Sequence, residues 1–398
     1  MKSEKALLYT LAVIQFSHIT DFMIMMPLGP QLMKAFTITP AQFALLVSTY
    51  TISAGVSGFL GAFVIDRFDR KKAILTMATG FAIGTLSCSF ATSYALLLTA
   101  RSLTGVFGGV LGALILAIIG DAIPNERRAS AMGVVMASFS AASVVGVPLG
   151  LFLASLSDWH FPFLVLGIVG LVTLLAIIRF LPNMSDHINT STEKPSPVQI
   201  VKNVIQNSNQ MKALLFGVVI MFSHFSIVPF ISPYMVANVG FSEQQITYIY
   251  LLGGALTIFS SPLIGKLADR FGRWKVFAFT VLTASIPVLI ITHLQENQIV
   301  LALVATSLFF IFGAGRMIPS TTMVTSSVKP ENRGSFMSFN SACRQMTNGI
   351  AAYIAGLVIT SGERGELLNY EYVGYFAVAM GVLSIYIGKS LKVVDEPN

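Results

Sequence analysis

The chain has 398 residues, of which 54% are hydrophobic and only 11% are charged, and its formal net charge is +7. A soluble domain carries about 25% charged residues, so there is too little charge here to coat a water-facing surface. Lipid must be the solvent for most side chains. The basic excess does not point to nucleic acid, because the Lys and Arg residues sit in short loops between apolar runs.

A membrane-spanning helix needs ~20 mostly apolar residues. Twelve stretches qualify in chain order: 6–33, 41–65, 73–93, 95–120, 130–156, 160–181, 211–238, 244–268, 275–293, 298–325, 334–360 and 371–390. The first runs far past signal-peptide length with no small-residue cleavage site after it, so it reads as a first span. The fold class expected is all-α, with two six-helix bundles over 1–182 and 211–398. The polar stretch 183–210 between them is the expected linker. Its Ser/Thr/Asn/Pro-rich first part reads as flexible. Val198, Val201, Val204 and Ile205 fall at helical spacing in its second part, which suits a surface-lying helix or an ordinary loop.

With both termini placed in the cytoplasm, twenty of the 25 Lys and Arg residues fall on the inner side and two, Lys34 and Arg364, on the outer. The positive-inside rule therefore puts both termini in the cytoplasm. Cys88 and Cys343 lie within apolar runs and read as packing residues. No metal-ligand spacing, cofactor motif or phosphate-binding loop is found, and no nucleophile–base set suggests an enzyme.

The two halves repeat each other. Asp66-Arg67-Phe68-Asp69-Arg70-Lys71-Lys72 recurs as Asp269-Arg270-Phe271-Gly272-Arg273-Trp274-Lys275, identical at five of seven positions and 203 residues on. Pro124-Asn125-Glu126-Arg127 recurs as Pro330-Glu331-Asn332-Arg333, and Phe-Ser-His occurs at both 16–18 and 222–224. Parallel six-span repeats are a signature of alternating-access carriers.

Gly265-Lys266-Leu267-Ala268-Asp269-Arg270-Phe271-Gly272-Arg273 resembles the signature loop of the major facilitator superfamily. In the first copy Ala62 and Asp69 stand where that signature has Gly. Arg101-Ser-Leu-Thr-Gly105 resembles the family's Arg-x-x-x-Gly stretch in span 4. Gly146, Pro148 and Gly150, with Val147 between, are similar to the Gly/Pro stretch of its antiporter branches. The sequence from Asp21 to Pro30 also resembles the drug:proton antiporter branch. The resemblance covers the whole chain and implies a monomeric carrier in a bacterial-type inner membrane, with a small-molecule substrate and protons as partners. It also implies a conformational latch built from Asp66, Arg67, Arg70, Asp269, Arg270 and Arg273, with Asp121 as a partner for Arg70.

Ionisable residues inside spans are functional candidates by default. They are His18, Asp21, Arg101, His224, Arg316 and Arg344. Asp21 is the only acid deep in any span, and His18 lies three residues earlier on the same face. These two are the candidate proton-coupling groups, against the alternative of a static Asp–Arg or Asp–His tie. Ser341, Arg344, Gln345 and Asn348 form a polar stripe at i, i+3, i+4 and i+7. Arg344, Gln345 and Asn348, with His224, Arg316 and Arg101, are the candidate substrate contacts. Three membrane arginines against one acid suggest a neutral-polar, zwitterionic or anionic substrate. The expected function is proton-coupled efflux of a small amphipathic or polar molecule. The alternative is uptake or facilitated transport of a sugar, organic acid or other metabolite.

Overall fold

The computed structural model describes residues 2–185 and 196–394; 186–195, most of the flexible part of the expected linker, lie outside the described residues, as does the side chain of Asp66. By length and composition, ten helical segments are long and apolar enough to cross a membrane. Two further long helices, Arg70–Ser89 and Pro330–Val358, fall outside that set. The first begins on Arg-Lys-Lys, and the second carries Asn340, Arg344, Gln345 and Asn348 along its length.

The described chain forms two compact units. The first takes the residues up to Met25 and then Thr49–Pro197. It holds α1 (Lys2–Ile24), most of α3 (Pro40–Val64), α4 (Arg70–Ser89), α5 (Tyr94–Ala122), α6 (Asn125–Ala141), α7 (Val147–Leu156) and α8 (His160–Phe180). α4 packs against α5 and α8, and α1 against α6 and α8. α8 turns Val172 and Leu175 outward, 60% and 66% exposed, as a lipid-facing wall requires. Where helices share an apolar solvent, small residues let them pack closely. A Cβ on Gly105 or Gly109 of α5 would overlap the backbone of Tyr50 or Ala54 on α3.

Span 5 is built around Gly146-Val147-Pro148. A π-turn, Ala142–Gly146, precedes Pro148, and the Val147 N–H reaches back to the Ala142 carbonyl. Proline has no N–H to give the preceding turn, and the widened turn accommodates that loss. A Cβ on Gly146 would strike Thr20 and one on Gly150 would strike Ile24, so this stretch is the seam along which α1 is packed.

The second unit comprises Met26–Ser48 and the chain from Val198 onward. Its elements are α2 (Gly29–Phe36), the start of α3, α9 (Pro197–Gln206), α10 (Ser208–Phe225), α11 (Ile231–Tyr234), α12 (Ile246–Phe271), α13 (Arg273–Thr292), α14 (Ile299–Ser326), α15 (Pro330–Val358) and α16 (Tyr370–Lys389). α13 packs on α14 and α16, and α10 packs on α15 and α16. The second unit includes the segment 26–48. That segment packs within the second unit: the Phe43 and Phe230 rings meet at 6.0 Å, and Ser48 Oγ donates to the Gly349 carbonyl at 2.7 Å.

One expectation about elements needs correction. The span at 6–33 is not one helix: α1 ends at Ile24 and α2 starts at Gly29, with Pro27 in the turn between them. Of the two readings of 198–205, the helix is the one found: it is α9, whose inward residues are Ile200 and Val204, while Val198 and Ile205 are exposed. The fold is all-α, as expected, with one short element of a different kind. A two-stranded antiparallel hairpin, β1 (Thr360–Ser361) and β2 (Leu367–Leu368), joins α15 to α16.

Candidate functional site

The ionisable residues inside the spans form two separate clusters, one in each unit. In the first unit, Asp21 near the end of α1 accepts a 2.8 Å ion-paired hydrogen bond from Arg101 Nη1 of α5. Neither side chain is exposed. Thr85 of α4 donates to the other carboxylate oxygen at 3.1 Å. The guanidinium lies over the Tyr50 ring at 4.5 Å, a cation–π contact that matters most when water is excluded. Three helices therefore converge on one carboxylate.

Arg101 is the counter-charge of Asp21, the Asp–Arg tie that the sequence leaves as the alternative. His18 makes no hydrogen bond to Asp21. Both of its ring nitrogens are buried without a partner, the ring packs edge-on to Phe81 at 5.6 Å, and a Cβ on Gly108 would press against it.

The second cluster lies on α10, α14 and α15. Arg316 Nη1 donates to Ser223 Oγ at 3.1 Å and Nη2 to His224 Nδ1 at 2.6 Å. A guanidinium has only donors, so Nδ1 accepts, the imidazole is neutral, and its hydrogen sits on Nε2. Phe309 stacks flat on the His224 ring at 5.3 Å. Arg344 is half-buried, and among the described residues it donates to the Met317 thioether at 3.5 Å. Asn348 Nδ2 donates to Gln345 Oε1 at 3.3 Å. Asn340, absent from the sequence-derived set, lies buried where α15 meets Gly217 of α10. One turn before Arg344, it extends the same polar stripe, and that spacing could have found it. Met25 and Met26 are buried, Tyr248 is exposed, and the Tyr250 hydroxyl is engaged with Ser232 at 2.9 Å.

The repeated loops are built differently. In the first, Arg70 Nε donates to Asp121 Oδ2 at 2.8 Å. The corresponding Arg273 donates instead to Ser326 Oγ at 2.9 Å. Asp69 caps α4 through the Lys72 N–H at 3.0 Å and also accepts from the Met184 N–H at 2.6 Å. Its counterpart, Gly272, starts α13 at φ +95°, a conformation glycine reaches without strain. The departure from the signature at Asp69 thus exchanges a glycine turn for a side-chain cap. Asp269, Arg270 and Arg67 are exposed; Arg270 sits beside the Phe271 ring at 5.2 Å. Asp269 and Arg273 line a cavity of about 590 Å³ between α12, α13 and the end of α16.

A sequence model described as the Major Facilitator Superfamily matches residues 11–222 and again 213–398. The chain belongs to this superfamily. Among its relatives, the uncharacterized MFS-type transporter YceJ of Bacillus subtilis (strain 168) is 25% identical over 94% of this chain and 93% of its own length. The inner membrane transport protein YdhP of Escherichia coli (strain K12) is 23% identical, covering 96% and 94%. A probable sugar efflux transporter of Helicobacter pylori (strain P12) is 21% identical, covering 89% and 86%. In fold, the chain is similar to a bacterial homologue of the human lysosomal transporter Spinster, solved in an inward-facing, unoccupied conformation. The TM-score is 0.80 at 16% identity, over 99% of both chains. It also resembles a D-xylose–proton symporter, with a TM-score of 0.79 at 14% identity over 97% of both chains. This major facilitator is therefore a multi-pass membrane protein of a secondary-transporter family, which handles small molecules within a lipid bilayer.

Proposed function

We propose that this major facilitator is a proton-coupled exporter of a small amphipathic or polar molecule, working by alternating access. In this reading it crosses a bacterial-type inner membrane twelve times, with α4 and α15 adding to the ten apolar spans, and functions as a monomer with both termini in the cytoplasm. Its two halves are two six-helix bundles over 1–182 and 211–398, with 183–210 as the linker.

The observation that carries the proposal is the buried Asp21–Arg101 pair. Leaving one buried charge without its partner costs several kcal/mol. A proton arriving on Asp21 removes the counter-charge of Arg101 and makes the paired arrangement of α1, α4 and α5 unfavourable. A state in which Arg101 finds another partner then gains population. A ligand shifts a conformational equilibrium only by its differential affinity for the states, and here the ligand is the proton. In this account Asp21 carries the proton, Arg101 reads its presence, and His18 forms part of the packed wall. Arg70 with Asp121 acts as the latch of the first repeat, and the second repeat holds its loop through Arg273 and Ser326.

Efflux rather than uptake is favoured by the Gly146–Gly150 stretch packed on α1 and by the sugar efflux relative. The test uses purified protein in liposomes, with a substrate first found by a ligand-stabilisation screen. An imposed pH gradient should drive the substrate against its own gradient, and a protonophore should abolish that drive. Accumulation unaffected by the protonophore would overturn proton coupling.

A further inference from the structure

Charge balance differs sharply between the two clusters. In the first, Asp21 and Arg101 neutralise each other. In the second, Arg316 and Arg344 bring two positive charges to α14 and α15, and among the described residues neither makes an ion pair. Arg316 is only 2% exposed, and its Nε is buried with no hydrogen-bond partner. Arg344 donates to a thioether sulfur, a weak acceptor. His224 adds no acid; it accepts from Arg316 and is left with an N–H donor at Nε2. The described acids of this unit, among them Glu243, Asp269, Glu296 and Glu371, lie at helix ends or in connections rather than within the spans.

Two cations inside a membrane helix bundle are costly unless they pair or face water. Among the described residues of this unit no acid pairs with either arginine, which leaves a place for a bound anion to supply the missing charge. The donor set is also chemically specific: guanidinium groups present planar, forked N–H donors that match the oxygens of a carboxylate or a phosphate.

We propose that Arg316 and Arg344 form an oxyanion-binding site, and that the transported molecule carries a carboxylate or phosphate group. The inference rests on the transporter reading above and narrows its substrate to an anion. Ser223 holds Arg316 in place. Gln345, next to Arg344, and Asn348, one turn along α15, offer amides to the polar remainder of the molecule.

Binding is measured by calorimetry on the full-length protein in detergent without added lipid, using four probes of one shape: benzoate, phenyl phosphate, benzamide and benzylammonium. The two anions should bind, and the neutral and cationic probes should not. Comparing benzoate with phenyl phosphate identifies the preferred oxyanion. Arg344→Gln, at a half-buried position, should weaken anion binding roughly 10- to 100-fold, whereas Arg316→Lys should retain part of it by keeping the charge. Benzamide or benzylammonium binding as tightly as the anions, or anion binding unchanged in Arg344→Gln, overturns the proposal. No proton gradient is applied, so failure of proton coupling and failure of the anion site are read separately.

Discussion

Arg101 and Asp21, eighty residues apart in sequence, meet at 2.8 Å with no exposed surface on either side chain. Removing one member of such a pair strands a buried charge, and singly neutralised variants commonly lose about 3–5 kcal/mol. Arg101→Gln is therefore expected to lower the unfolding temperature in detergent markedly. The double variant Asp21→Asn with Arg101→Gln should recover much of that loss. Strictly additive losses in a double-mutant cycle would contradict the pairing.

Two glycines of α5 give a matched test of helix packing. A Cβ at Gly109 would overlap the Ala54 backbone and Ser57, whereas a Cβ at Gly112 meets nothing within 4 Å. Backbone cannot move aside as a flexible side chain can, so Gly109→Ala should cost roughly 1–3 kcal/mol. Gly112→Ala should be neutral or mildly stabilising, since alanine is the better helix former. Thermal unfolding of both variants, with folding checked by size exclusion, decides the point.

The two repeat loops start their helices by different means, and their variants should respond differently. Asp69→Ala removes the cap of α4, worth about 1 kcal/mol, and also the contact to the Met184 N–H. Gly272→Ala forces a side chain into φ +95°, which costs of order 1 kcal/mol or more. Asp69→Gly should be tolerated better than Gly272→Asp, because only glycine adopts that conformation freely. Unfolding midpoints for the four proteins measure this order.

The Arg70–Asp121 pair makes a kinetic prediction. The Arg70 side chain is 7% exposed and that of Asp121 35%, and an Asn at position 121 keeps an amide oxygen to which Arg70 can donate. Asp121→Asn should leave the unfolding temperature nearly unchanged while altering the transport rate. Ser326→Asp would give Arg273 the partner that Arg70 already has. A slower transport cycle in that variant, with unchanged substrate affinity, is the expected result in liposomes.

Much of this was legible in the sequence. Low charge and long apolar runs dictated helices in lipid, and the repeat around Asp66 and Asp269 identified the superfamily. The single deep acid and the intramembrane arginines were visible as exceptions to an apolar background. Pairing was not visible. Asp21 had His18 three residues away and Arg101 eighty away, and only the packing of α1 on α5 determines which one meets it. The cap made by Asp69 was not visible, because the loss of a glycine shows in sequence and the gain of two backbone partners does not. The break at Pro27 was hidden for a related reason: membrane helices often tolerate proline, so a proline alone does not show where a span ends. The neutral state of His224 likewise follows from Arg316 donating to its Nδ1, a contact between spans that spacing along one helix cannot give.

The central claim is that a proton on Asp21 drives transport. The most direct measurement compares wild type with Asp21→Asn in liposomes, once under an imposed pH gradient and once under substrate exchange with no gradient. The account predicts that Asp21→Asn loses gradient-driven accumulation and keeps exchange, because the binding residues lie in the other unit. Gradient-driven accumulation in Asp21→Asn equal to that of wild type would contradict it.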